Sequence, residues 1–332
     1  MISHNHSHDS HNSHEEDHVH SILHFHAHGP ADPTLLTAER GIWAVKWSFL
    51  GLMITALIQI FVVWYSGSLA LFADTIHNFG DASTAIPLWI AFTLAKRPAN
   101  KKFTYGYGRA EDLAGVVIVL TIFFSAVVAS YESIDRFLHP REVEYLWAVV
   151  AASLIGFAGN ELVARFRMKV GKEINSAALV ADGHHAQVDG LTSLAVLLGA
   201  LGIWLGYTWA DPLIGILITI AILRIGWQSG KAVITRLLDG TDPKVLNDIM
   251  DAACETEGVE EVTQIRVRWL GHRLHTEINI AVSSDLTVRE GHQIADKVQH
   301  QLLHRLSYLS NALIHVDPKE ASGEEYHQIA RH

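Results

Sequence analysis

Two stretches of the chain, ADTIHNFGD at residues 73–81 and ADGHHAQVD at residues 181–189, share the pattern Ala-Asp-x-x-His-x-x-x-Asp in strongly apolar surroundings. Residues four apart on a helix share a face, so His77 projects with Asp81 and His185 with Asp189. Asp74 and Asp182 fall one turn earlier on nearly the same faces. A bare charge at the bilayer centre costs at least about 2.5–3.5 kcal/mol, so such groups pair with one another or bind something. A single His-Asp pair reads equally well as a structural contact. Two matched pairs offer two imidazoles and two carboxylates. That N2O2 set suits Zn²⁺, whereas Mg²⁺ and Ca²⁺ take all-oxygen shells. The expected ligands are therefore His77, Asp81, His185 and Asp189, with Asp74 and Asp182 behind them or along the access path. His184 lies about 100° round the helix from His185 and is read as a neighbour.

These residues need helices that hold them inside a membrane. Six apolar blocks follow one another at roughly 41–65, 68–95, 112–138, 145–168, 176–206 and 212–237, each long enough to cross a bilayer. The loop KRPANKKFTYGYGR at 96–109 has five basic residues and no acid, and 165–172 adds Arg165, Arg167, Lys169 and Lys172. The alternate loops are uncharged, as in YSGS, or acidic, as in 132–144 with four acids against two arginines. Positive-inside bias then puts both termini in the cytoplasm. On that topology the second and fifth spans run in opposite directions. At about 1.5 Å per residue, His77 sits roughly 13 Å below the outer boundary, and His185 reaches a similar depth.

Composition supports this reading. Of 332 residues, 49% are hydrophobic and 18% charged, too apolar for a soluble protein of this length. One cysteine, Cys254, excludes an internal disulfide framework and a cysteine-built zinc site. The start, MISHNHSHDS, has neither the basic n-region nor the apolar core of a signal peptide. The net charge of -10 is concentrated late, with nine Lys and Arg against sixteen Asp and Glu in 239–332, which argues against nucleic acid as a partner. Residues 1–28 hold ten histidines and no apolar period, the composition of a disordered tail that binds zinc loosely through neutral imidazole.

After Asp239 the pattern changes to that of a small α+β unit. Asp242-Pro243 starts a helix carrying an apolar stripe of Val245, Leu246, Ile249, Met250 and Ala253. VTQIRVRWL and LHTEINIAV alternate as strands, and TVRE at 287–290 is a capping box opening a helix through Leu306. NALIHVDP closes the unit as a strand. The order αββαβ predicts a small sheet with two helices on one face. The chain thus divides into a tail at 1–36, six membrane helices over 37–238, a cytoplasmic domain at 239–318 and a short tail at 319–332.

With these residues in view, the chain resembles the cation diffusion facilitator family over about 37–318. The resemblance rests on six spans, the paired ligand motifs, FTYGYGRAE before span three and the closing IHVDP. It implies a homodimer that exports divalent metal from the cytoplasm in exchange for protons. It also implies a cytoplasmic domain of metallochaperone, ferredoxin-like fold. Two His and two Asp at the membrane site imply a zinc preference. His292, His315 and Asp317 match positions that bind metal at the dimer contact in bacterial members, which marks them as a candidate cytoplasmic site. Thr263 and Asn279 stand where such members have histidines. Phe103 and Tyr107 likewise replace the histidines of a second site before span three. Arg109 and Asp239 match a Lys-Asp charge interlock near the dimer axis. His272 and His275, with Glu277, are weaker metal candidates and otherwise exposed strand residues.

The leading reading is a zinc/proton antiporter of the bacterial cytoplasmic membrane. It has Zn²⁺ as substrate and regulatory ligand, protons and a second copy of the chain as partners, and no prosthetic group. Export of Cd²⁺, Fe²⁺, Mn²⁺ or Co²⁺, or a non-transporting membrane metal sensor, are the alternatives. An intramembrane metallohydrolase needs an open coordination position and a general base, as in H-E-x-x-H, and no such motif occurs, so enzyme activity is not expected.

Overall fold

The computed structural model describes residues 33–66, 85–138, 145–207 and 209–321. Six helices form the first part: α1 Pro33–Ser66, α2 Ala85–Ala95, α3 Arg109–Leu138, α4 Leu146–Glu173, α5 Ala177–Trp204 and α6 Ala210–Leu237. Among the described residues all but α2 are long and apolar enough to cross a membrane. α2 is an apolar helix of 11 residues. It covers the end of the second expected span, whose earlier part, with Asp74, His77 and Asp81, lies outside the described residues. The helices turn large apolar side chains outward, among them Trp47, Phe61, Leu120, Phe124, Leu162 and Trp227. Side chains of this size exposed along helices this long suit lipid and not water.

The inner faces meet in a core built around Leu88, Phe92, Ile118, Ile122, Leu179, Val188 and Ile222. α4 and α5 approach closely because small residues line their seam. A Cβ on Gly183 would sit 2.6 Å from Met168 Cγ and 2.9 Å from its backbone nitrogen, so only glycine fits. α4 also runs further than its apolar block predicts, to Glu173. Nothing breaks it before Asn175, which takes a positive φ of 57°. Arg165, Arg167, Lys169 and Lys172 are therefore the last turns of a helix, not a loop.

α6 ends in a Schellman-type turn, with Asp239 at φ 59° and the Gly240 amide bonded to the Thr235 carbonyl at 2.7 Å. Beyond it lie α7 Pro243–Cys254, β1 Glu261–Leu270, β2 Arg273–Val282, α8 Val288–Arg305 and β3 Leu309–Pro318. The sheet order is β1-β2-β3, β1 antiparallel to β2 and β2 parallel to β3. A parallel neighbour needs a crossover, which α8 supplies. The Asp242 side chain caps α7, and the Thr287–Glu290 capping box opens α8, both where the sequence predicts. Ile249, Ile278, Ile280, Val298 and Leu302 fill the space between helices and sheet. The protein is an α-helical membrane protein with a small C-terminal αββαβ domain.

Candidate metal-transport site

α5 is set by its N-cap, where the Ser176 hydroxyl accepts a hydrogen bond from the Leu179 amide at 3.0 Å. Two to three turns on, His185 and Asp189 face inward, 1% and 8% exposed, with Nε2 and Oδ2 3.8 Å apart. Asp189 also lines a cavity of about 120 Å³ together with Glu132, Ser133, Ser153 and Asp211. Glu132 is near the end of α3, and Asp211 is in the first turn of α6. Both ends lie away from the C-terminal domain, to which Arg109 and Leu237 are adjacent. Gly199 lets Asp211 in, because a Cβ there would clash with the Asp211 carboxylate. The buried His-Asp pair thus borders, through Asp189, an acid-lined cavity on one side.

On the other side, Asp182 is fully buried and paired with Arg167, NH1 to Oδ2 at 3.1 Å. Arg167 also donates to Ser48 Oγ from Nε at 2.9 Å. Its role is missed when 165–172 is counted as loop charge. The signal was present: Val163, Ala164, Val170 and Gly171 make a helical stripe that Arg167 joins. An arginine on an apolar stripe needs a buried acid opposite. His184, as expected, points elsewhere, with Nδ1 2.7 Å from Ser229 Oγ.

A second polar cluster joins the membrane helices to the C-terminal domain. The two-residue turn Gly271-His272 between β1 and β2 inserts against α3. His272 is 2% exposed, with Nδ1 2.6 Å from Glu111 Oε2 and Nε2 2.8 Å from Thr37 Oγ1. The Gly271 amide donates to Asp112 at 3.2 Å, and its positive φ of 63° and closeness to Glu111 both require glycine. Arg236 bonds the carbonyls of Asn175 and Gly271 and lies 4.1 Å over the Trp269 ring. Arg109 meets Asp239 at 2.5 Å. His272 therefore corrects the sequence reading. It is no exposed strand residue, and both its ring nitrogens are engaged, leaving none for a metal. His272→Leu should lower stability by about 1–3 kcal/mol, because it leaves the buried Glu111 without its partner. Thermal unfolding in detergent measures this, and an unchanged melting temperature would contradict it.

Residues 45–238 match the family described as cation efflux transmembrane domain, and 241–319 match the cation efflux protein cytoplasmic domain. The chain belongs to the cation efflux, or cation diffusion facilitator, family. It is similar to a probable cation efflux system protein of Mycobacterium tuberculosis, 49% identical over 298 residues, covering 89% of this chain and 90% of that one. A cadmium, cobalt and zinc/H(+)-K(+) antiporter of Bacillus subtilis is 32% identical over 72% of this chain and 78% of its own. A manganese efflux system protein of the same organism is 25% identical over 78% and 90%. Like its family, the chain is a divalent-cation efflux transporter that crosses the membrane several times.

In the family's cytoplasmic domain the remaining candidates separate. His315 and Asp317 face each other on β3, Nε2 to Oδ1 at 2.9 Å. His315 is in register with Asn279 of β2, whose carbonyl accepts from Thr263, so the two replaced histidine positions do lie beside it. His292 stands exposed on α8, 3.5 Å from Asp296. Among the described residues no three His, Cys, Asp or Glu side chains converge in one chain. His275 bonds Ser310 at 3.1 Å, and burial, aided by Arg273 and Arg268, pushes its imidazole below the usual range. The Phe103 and Tyr107 rings pack together at a 41° tilt, with centroids 4.7 Å apart.

Proposed function

We propose that this transporter exports Zn²⁺ from the cytoplasm in exchange for protons, with His77, Asp81, His185 and Asp189 as its ligands. The observation that carries the reading is the buried His185–Asp189 pair, whose Asp189 lines the cavity of Glu132 and Asp211. A borderline cation favours mixed imidazole and carboxylate donors, whereas Mn²⁺ favours oxygen. The acids beyond Asp189 give a released cation a favourable path outward. The Arg167–Asp182 pair closes the same helix on the side of the C-terminal domain. Imidazole and carboxylate bind metal only when deprotonated, so protons arriving through the outer cavity compete the ion off and return in its place. On this reading both termini lie in the cytoplasm, as the basic 96–109 loop favours, and the membrane is a bacterial inner membrane, in keeping with the bacterial relatives. The cytoplasmic domain brings two copies together, with His292, His315 and Asp317 shared across that contact and the Arg109–Asp239 pair beside it.

Zinc flux in proteoliposomes with each side buffered separately tests the exchange. Acid on the outer side should speed zinc release, and acid on the cytoplasmic side should slow uptake. Competition by Cd²⁺, Co²⁺ and Mn²⁺ ranks the ion. Equal inhibition from both sides, with no proton movement, would leave a uniporter.

A further inference from the structure

Further along α8 from His292, two histidines have no part in these roles. The inner face of the helix buries Ile294, Val298 and Leu302, and its start is locked by the capping box. Opposite them, His300 and His304 are both exposed, with their Nε2 atoms 3.1 Å apart and ring centroids at 4.2 Å. They line an open hollow with Asp296, Lys297, Gln301 and Arg305.

Two explanations fit a 3.1 Å contact between imidazole nitrogens. A hydrogen bond requires one ring to donate to the other, and on a solvent-exposed helix water competes for both. A shared cation requires neither to donate. Zn–N bonds of about 2.0–2.1 Å place two ligands of a tetrahedron roughly 3.3 Å apart, so the rings already stand near bite distance. Histidines at i and i+4 on a helix are the spacing that binds zinc in H-E-x-x-H. The surrounding charge is compatible. Arg305 is held by Glu255 at 2.7 Å and Lys297 lies 3.9 Å from Glu257, while Asp296, one turn earlier, is a carboxylate 3.5 Å from His292.

We propose that His300 and His304 form a two-imidazole chelate for a borderline divalent cation such as Zn²⁺, Ni²⁺, Co²⁺ or Cu²⁺ on the solvent face of α8. Water completes the shell, and Mg²⁺ and Ca²⁺ are excluded by the nitrogen donors. The site is separate from His185 and Asp189 and stands whatever ion those residues carry. It gives the soluble domain a metal-binding face apart from the His315–Asp317 pair.

Diethyl pyrocarbonate labelling of the full-length protein in detergent, mapped by peptide mass spectrometry, reads this site individually. Zn²⁺ at about ten times its dissociation constant should slow modification of His300 and His304 roughly tenfold. The same concentration of Mg²⁺ should leave both rates unchanged. In His304→Gln, an exposed substitution, zinc should no longer protect His300. Zinc that fails to protect the wild-type pair, or that still protects His300 in the variant, overturns the chelate.

Discussion

Asp189→Ala reduces zinc uptake by proteoliposomes more than about 100-fold while the protein stays folded. On the proposed assignment the loss exceeds the 10–100-fold typical of disturbing a residue behind a metal ligand, because a ligand itself would be removed. The carboxylate is 8% exposed, faces the cavity and lies within 4 Å of His185, so its loss removes charge from the binding position without opening the core. Alanine is smaller and good in helices, which keeps the structural cost low. Uptake and thermal unfolding measured on one preparation separate the two effects. Near-normal uptake would remove Asp189 from the transported-ion site, and a collapsed melting temperature would make the residue structural. The conservative Asp189→Asn keeps the shape and loses the charge, so it should fail equally.

Arg167→Met is the variant expected to cost most in stability, about 3–5 kcal/mol. It strands the fully buried Asp182 carboxylate and leaves Ser48 without its donor. Replacing both partners is a different experiment. Arg167→Met with Asp182→Val removes both charges at similar total volume, and buried pairs exchanged in this way are often neutral or stabilising. The double variant should therefore recover most of the loss, and a double-mutant cycle on thermal unfolding gives the coupling. A double variant as unstable as the single would mean that Arg167 acts through packing or through Ser48, and not through Asp182.

The His272 result depends on the same physics at another place. Its partner Glu111 belongs to the FTYGYGRAE segment, which reads in sequence as the approach to a membrane helix. In the folded chain that segment receives the β1–β2 turn.

The His185–Asp189 pairing and the elements around it were legible because each follows from local periodicity. Spacing of four put His185 and Asp189 on one face of α5. Apolar blocks marked the helices, and Asp242-Pro243 and Thr287–Glu290 marked helix starts within a residue. Where the chain stops being apolar was less informative, since α4 continues through its charged turns until Asn175 changes hand.

By itself, then, the sequence determined the membrane class, the αββαβ order and the paired His-Asp motif, since these depend on residues a few positions apart. Only the tertiary structure decided which charges are partners. Arg167 and Asp182 are 15 residues apart on different helices, and Glu111 and His272 are 161 residues apart. No local pattern encodes such pairs. A charge near a helix end can be satisfied by water or by a buried acid, and packing between elements selects which one it meets.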